Sequence, residues 1–88
     1  MSHPRKTLDR ILSGQADANI SFYDLVRLLR KLGFACRING SHHIFHRAGI
    51  DDILNLQPKG SQAKPYQVRQ VRDVVLRYKL SVSKNAQA

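Results

Sequence analysis

Acidic side chains are scarce in this chain: six, against fifteen lysines and arginines. Carboxylates are therefore too few to suggest an acidic metal cage, and no Cys/His spacing of the zinc-site type occurs. No metal and no small-molecule cofactor is expected. There is one cysteine, Cys36, which excludes an internal disulfide and suits a reducing compartment. No run of eighteen apolar residues occurs, which excludes a membrane-spanning helix by the usual length criterion. The first residues show no apolar segment of the secretory type, so a cytoplasmic location is expected. The Walker spacing of a phosphate-binding loop is absent, and no internal repeat is seen.

What is present is positive charge. Eighty-eight residues make one domain, and that domain carries a formal charge of +9 with histidine neutral. Such a charge on so small a body attracts polyanions: RNA, DNA, an anionic membrane or an acidic protein. Apolar residues make up 42% of the chain, enough for a single core between a sheet and a few helices.

The order of elements can be read from periodicity. Met1 to Lys6 is a basic leader. Leu8, Ile11 and Leu12 then recur at helical spacing and stop at Gly14. A polar connector follows from Gln15 to Asn19. Ser21 is a helix cap with Asp24 three residues on, and Ile20 and Leu25 occupy the positions of a hydrophobic staple. Phe22, Leu25, Val26, Leu29 and Leu32 form one apolar stripe. Arg27, Arg30 and Lys31 lie off it, and Gly33 ends the helix.

Phe34 to Ile38 alternates as a strand does. Asn39-Gly40 is a two-residue hairpin signal, because a type I′ turn needs two positive φ angles. His42 to Arg47 returns, Ala48 to Asp51 turns, and Ile53 to Gln57 is a third strand. Pro58 to Lys64 reads as a loop. Pro65 opens a last helix with Val68, Val71, Val74, Val75 and Tyr78 buried, and Asp73 can pair with Arg77 one turn on. The expected fold is α+β, in the order α-α-β-β-β-α: a three-stranded antiparallel sheet packed by helices on one face.

Four histidines are present: His3, His42, His43 and His46. Adjacent strand residues point to opposite faces, so His42 and His43 cannot share one metal. With Asn39-Gly40 as the loop, Arg37 pairs with His42 and Cys36 with His43. His43 then shares the helix-packed face with Phe34, Cys36, Ile38 and Phe45. His42 lies on the open face with Arg37 and Ile44, and a one-residue slip would exchange the two histidines.

An imidazole can take the proton of an RNA 2′-hydroxyl at neutral pH, while cations neutralise charge on the phosphorus. His42 can serve as that base, with Arg37, Lys59 and Lys64 as phosphate contacts. Each has an ordinary alternative. His42 can be a plain exposed strand residue, Gly40 and Ser41 simply a turn, and the Pro58–Ser61 stretch a plain loop. The basic face of the last helix could likewise be only a solvated face.

The segments LVRLLRKLGFACRINGSHHIFHR and LQPKGSQAKPYQVRQVRDVV resemble the helix, strand, Gly-Ser-His turn, third strand, loop and last helix of HicA toxins. The resemblance covers about residues 21 to 80 of a single domain spanning 1–88. Residues 1–19 are then an N-terminal helical extension and 81–88 a flexible tail. It implies a fold like the double-stranded-RNA-binding domain. It also implies a metal-independent endoribonuclease that cuts mRNA and arrests translation, held in check by an acidic HicB-like antitoxin. The family's catalytic histidine follows Gly-Ser or Gly-Gly, which maps onto His42; in some members the position is one later, which maps onto His43. The turn residues Gly40 and Ser41, with Arg37, Lys59 and Lys64, would contact RNA. Many members carry Pro-x-His after the third strand, whereas here Pro58 is followed by Lys59 and Gly60.

Two other functions fit parts of the pattern. A non-catalytic RNA-binding module of the same fold would share the charge and the open sheet. A DNA-binding regulator would use the last helix, but a β-meander separates the helices, so no helix-turn-helix pair is evident.

Overall fold

The computed structural model describes residues 3–82. Pro4 takes the first position of helix α1 (Pro4–Ser13), where its missing N–H costs nothing. His3 caps it, its Nδ1 accepting from the Arg5 N–H at 3.1 Å. The helix therefore begins inside the stretch expected to be a leader. Gly14 ends it with φ 72. A single 3₁₀ turn (Asp17–Asn19) then leads to α2 (Phe22–Lys31), whose cap Ser21 accepts from the Asp24 N–H at 3.3 Å.

Strands β1 (Ala35–Asn39), β2 (His42–Arg47) and β3 (Ile50–Leu56) form an antiparallel sheet in that order. A bulge lies between Phe45 and Arg47 on β2. β3 begins three residues before its expected start, at Ile50, because the turn before it is tight and centred on Gly49, with φ 87. The stretch expected as a loop is a small hairpin, β4 (Pro58–Lys59) and β5 (Gln62–Ala63). It is fastened to the start of α2: the Phe22 N–H donates to the Ser61 carbonyl at 3.0 Å, and the Ala63 N–H to the Ile20 carbonyl at 2.8 Å. Helix α3 (Pro65–Tyr78) is the last regular element among the described residues.

The order α-α-β-β-β-α is thus as expected, with the small hairpin added. The core is built from Ile11, Ile20, Leu25, Leu28, Leu29, Phe45, Leu54, Leu56, Val68 and Val71, all essentially fully buried. It lies between one face of the sheet and the three helices. Leu28, absent from the expected stripe, is part of it. Val82 is buried at the edge of this core, and residues 83–88 of the expected tail lie outside the described residues.

Two ion-pair systems pin α3. The Arg72 guanidinium grips both oxygens of Asp17, at 2.8 and 3.2 Å, and donates to the Ile11 carbonyl at 3.0 Å. Near the other end, Arg77 bonds Asp52 at 2.6 Å and pairs with Asp73 one turn back, and the Tyr78 hydroxyl donates to Asp52 at 3.2 Å. These contacts fix α3 against the 3₁₀ turn and against β3. The other face of the sheet stays open.

Candidate active site

The β1–β2 turn differs from the expected one. Its two loop residues are Gly40 and Ser41, and Asn39 pairs with His42. Gly40 has φ 62, and among the described residues Lys79 alone has positive φ without being glycine. The turn therefore carries the φ signature of type II′, with glycine first. On these two loop residues type I′ would put Ser41 in the left-handed region, which costs such a residue about 1 kcal/mol or more. One glycine suffices for the turn that forms.

The change moves each strand by one residue relative to the turn. The two steps cancel in side-chain direction, so the faces come out as expected. Opposite partners change: His43 faces Ile38, and Arg37 faces Ile44. Arg37 is thus not directly across from His42, as expected from sequence, but diagonal to it on the same open face.

His42 is exposed there. Its Nδ1 lies 3.0 Å from the Asn55 Oδ1, reached diagonally from β3. In the tautomer with the proton on Nδ1 this contact is an N–H to carboxamide-oxygen bond, and Nε2 is then the nitrogen that carries a lone pair. Asn55 is set on this face by the β2–β3 register, where it pairs with Ile44. Beside it, the Gln57 Nε2 donates to the Ser41 Oγ at 2.8 Å, tying the turn to the end of β3. Neither Asn55 nor Gln57 was found from sequence. The signal that could have found them is strand parity once the third strand is placed next to the second.

His43 points the other way. It is partly buried, packs edge-on against the Phe22 ring at a centroid distance of 4.9 Å, and its Nδ1 is buried with no hydrogen-bond partner among the described residues. His46 is exposed on the open face, and His3 is a helix cap.

The basic candidates fall in two places. Arg37 stands on the open face near His42. Lys59 and Lys64 line a separate shallow depression with Pro58, Pro65 and Tyr66, at the start of α3. The chain reaches that depression directly after Gln57, so the two places adjoin through the end of β3. Among the described residues, no three of His, Cys, Asp or Glu gather as a metal would require.

A basic α+β domain with an exposed histidine on an open sheet face is a class of fold and site suited to meeting a polyanion. The family model described as HicA toxin of bacterial toxin-antitoxin matches residues 22–78, and the chain belongs to that family. It is accordingly a toxin of a toxin–antitoxin pair, and a protein partner follows from that membership. No curated protein and no solved structure gives a significant match. No described helix is long and apolar enough to cross a membrane.

Proposed function

We propose that this toxin is a metal-independent endoribonuclease that cuts mRNA, with His42 as its proton-transfer residue. The observation that carries this reading is the exposed His42 on the open face, held by Asn55 through Nδ1, a contact that in the Nδ1–H tautomer leaves the Nε2 lone pair available as a base. In the proposed reaction, Nε2 takes the proton of a ribose 2′-hydroxyl. The 2′-oxygen attacks the adjacent phosphorus, and the bond to the 5′-oxygen breaks. A 2′,3′-cyclic phosphate remains, and the departing 5′-oxygen takes up a proton from the imidazolium or water. No metal is needed for this balance.

Arg37 is positioned to meet the phosphate beside the reacting one. Gly40 has nothing within 4 Å of where a Cβ would sit, so the turn offers RNA an open backbone next to His42. Ser41 supplies a hydroxyl there, and Lys59 and Lys64 would hold the strand as it runs toward α3. An exposed Tyr66 beside these lysines gives a base a ring to stack on. The partner that restrains the activity is proposed to be an acidic HicB-like antitoxin, since a body of +9 charge is best desolvated by carboxylates.

The test is induced expression of wild type beside His42→Ala, reading growth and mRNA integrity together, with cleavage of purified RNA measured in vitro. Loss of cleavage by about 10²–10⁴-fold is expected for removal of one general base. Unchanged cleavage would remove His42 from the reaction. RNA binding without cleavage in the wild type would make the chain a binding module of the same fold.

A further inference from the structure

The strand order β1-β2-β3 makes β1 one of the two edges of the sheet. In a two-residue hairpin the pair closing the turn exchanges both hydrogen bonds, and bonded pairs then alternate. Asn39, Arg37 and Ala35 therefore turn their backbone groups toward β2. Cys36 and Ile38 turn theirs outward, along the open edge. Their side chains lie on the helix-packed side of the sheet. There they line a groove of about 500 Å³ with Phe22, Tyr23 and Val26 of α2 and with His43.

This groove is mostly apolar, and its exposed walls are large: Ile38 is 64% and Tyr23 56% exposed. Arg30 stands on its rim and also borders a second, basic depression with Pro4, Arg27 and Lys31. An open strand edge, an apolar slot beneath it and a cationic rim thus meet along one line.

We infer that this edge and groove dock an extended segment of the antitoxin, one that alternates apolar and acidic residues. The inference rests on the toxin–antitoxin reading and adds where and how the partner attaches. A strand added to β1 bonds to the outward N–H and C=O groups of Cys36 and Ile38. Its side chains alternate between the two faces of the sheet. Those on the helix side enter the groove against Ile38, Tyr23 and Val26, so they must be apolar. Those on the other side come beside Arg37, on the face that carries His42, so carboxylates fit there. One added strand therefore anchors the partner on one face and neutralises the cationic approach on the other. Carboxylates flanking the strand meet Arg30.

The test uses a HicB-type antitoxin co-expressed with the full chain. Its readouts are growth rescue, affinity, and amide exchange of the complex by NMR. Ile38→Glu and Arg30→Glu place carboxylates in the groove and on its rim, at exposed positions outside the proposed RNA contacts. Both variants should fold and still arrest growth. Antitoxin affinity should fall by about tenfold or more for Ile38→Glu, as for an interface anchor, and rescue should weaken with it. In the unsubstituted complex the Cys36 and Ile38 amides should exchange about tenfold or more slowly than in the free chain.

If the antitoxin rescues wild type and both variants equally, and those two amides stay unprotected, the docking site is elsewhere and the toxin–antitoxin reading stands. Failure to rescue or bind wild type overturns the partner reading itself. If Ile38→Glu instead splits a dimer of the free chain, or lowers RNA affinity alone, the occupant is a second copy or RNA, and the inference is wrong.

Discussion

At the scale of single residues, the two adjacent histidines divide the work. His42 has an exposed ring and no role in the core, so His42→Ala should abolish RNA cleavage while shifting stability by no more than about 0.5 kcal/mol. His43→Ala should do the opposite. It removes an edge-on ring contact with Phe22, and such contacts contribute about 0.5–1.5 kcal/mol beyond burial. Cleavage should persist in the folded fraction. His43→Leu should recover most of the stability, because it keeps apolar volume and deletes a buried nitrogen that has no partner among the described residues. Thermal melts and a cleavage assay on the three variants check this; loss of cleavage in folded His43→Leu would transfer the proton-transfer role to His43.

Asn55 belongs to the same scale, as a positioning residue. With Oδ1 facing the His42 Nδ1, it favours the tautomer that carries the proton there and the lone pair on Nε2. Asn55→Asp keeps an acceptor there and adds a negative charge that favours the imidazolium. The acidic limb of the cleavage pH profile should then move to higher pH, whereas Asn55→Leu should lower kcat by releasing the ring. A profile unchanged in Asn55→Asp would mean the contact does not orient the base. The sequence made His42 visible because Gly-Ser-His is compact. It hid Asn55, because a partner thirteen residues away is located only when two strand registers are known.

At the scale of elements, the caps were the most legible feature. Ser21 before Phe22, Gly14 after Ser13 and Pro65 at the start of α3 each act through one local bond or one backbone angle, so a local pattern suffices. The β1–β2 turn was legible only in part. Asn39-Gly40 and Gly40-Ser41 are both acceptable loops, and the choice depends on which residues the strands pair. Face assignment survived because the two alternatives differ by an even step. The β4–β5 hairpin was not legible at all. Its strands are two residues long, and it is held by bonds to Ile20 and Phe22, some forty residues away in sequence.

Helix α3 supplies two tests of its own. It ends at Lys79 with φ 55, a left-handed position whose N–H donates to the Val75 carbonyl. Glycine takes that conformation without the side-chain penalty, so Lys79→Gly should raise stability by about 0.5–1 kcal/mol, read as a higher Tm. A lower Tm would mean the lysine stem packs against something worth more than the strain. Further back, the two hydrogen bonds from Arg72 hold the Asp17 carboxyl below its ordinary value of 3.8. A depressed carboxyl stabilises the fold above its unfolded pKa, and the contribution is lost as pH falls through the folded value. Asp17→Asn should therefore cost about 1 kcal/mol at neutral pH, and the difference from wild type should close below about pH 4. A gap that persists unchanged into acid would show that the loss is not one of charge.

At the scale of the whole molecule, the charge decides how the chain meets RNA. Fifteen basic against six acidic residues leave +9, and only part of that is internally paired. Arg72 and Arg77 are committed to Asp17, Asp52 and Asp73. Arg37, Lys59 and Lys64 have no carboxylate within salt-bridge distance among the described residues; Arg37 shares the open face with His42, and the two lysines line the depression at the start of α3. Each phosphate contact releases counterion, so log affinity for RNA should fall linearly with log salt, with a slope of about −0.7 per contact on a single strand. Replacing Lys59 and Lys64 together by Gln should make that slope shallower by about 1.4 and weaken binding to all sequences alike. The rate of the chemical step at saturating RNA should stay the same, because neither lysine adjoins the His42 ring. Binding titrations at several salt concentrations, with single-turnover cleavage alongside, separate the two effects. A slope unchanged in the double variant would move the RNA path off the start of α3. A fall in the saturated cleavage rate would bring one of these lysines to the reacting phosphate.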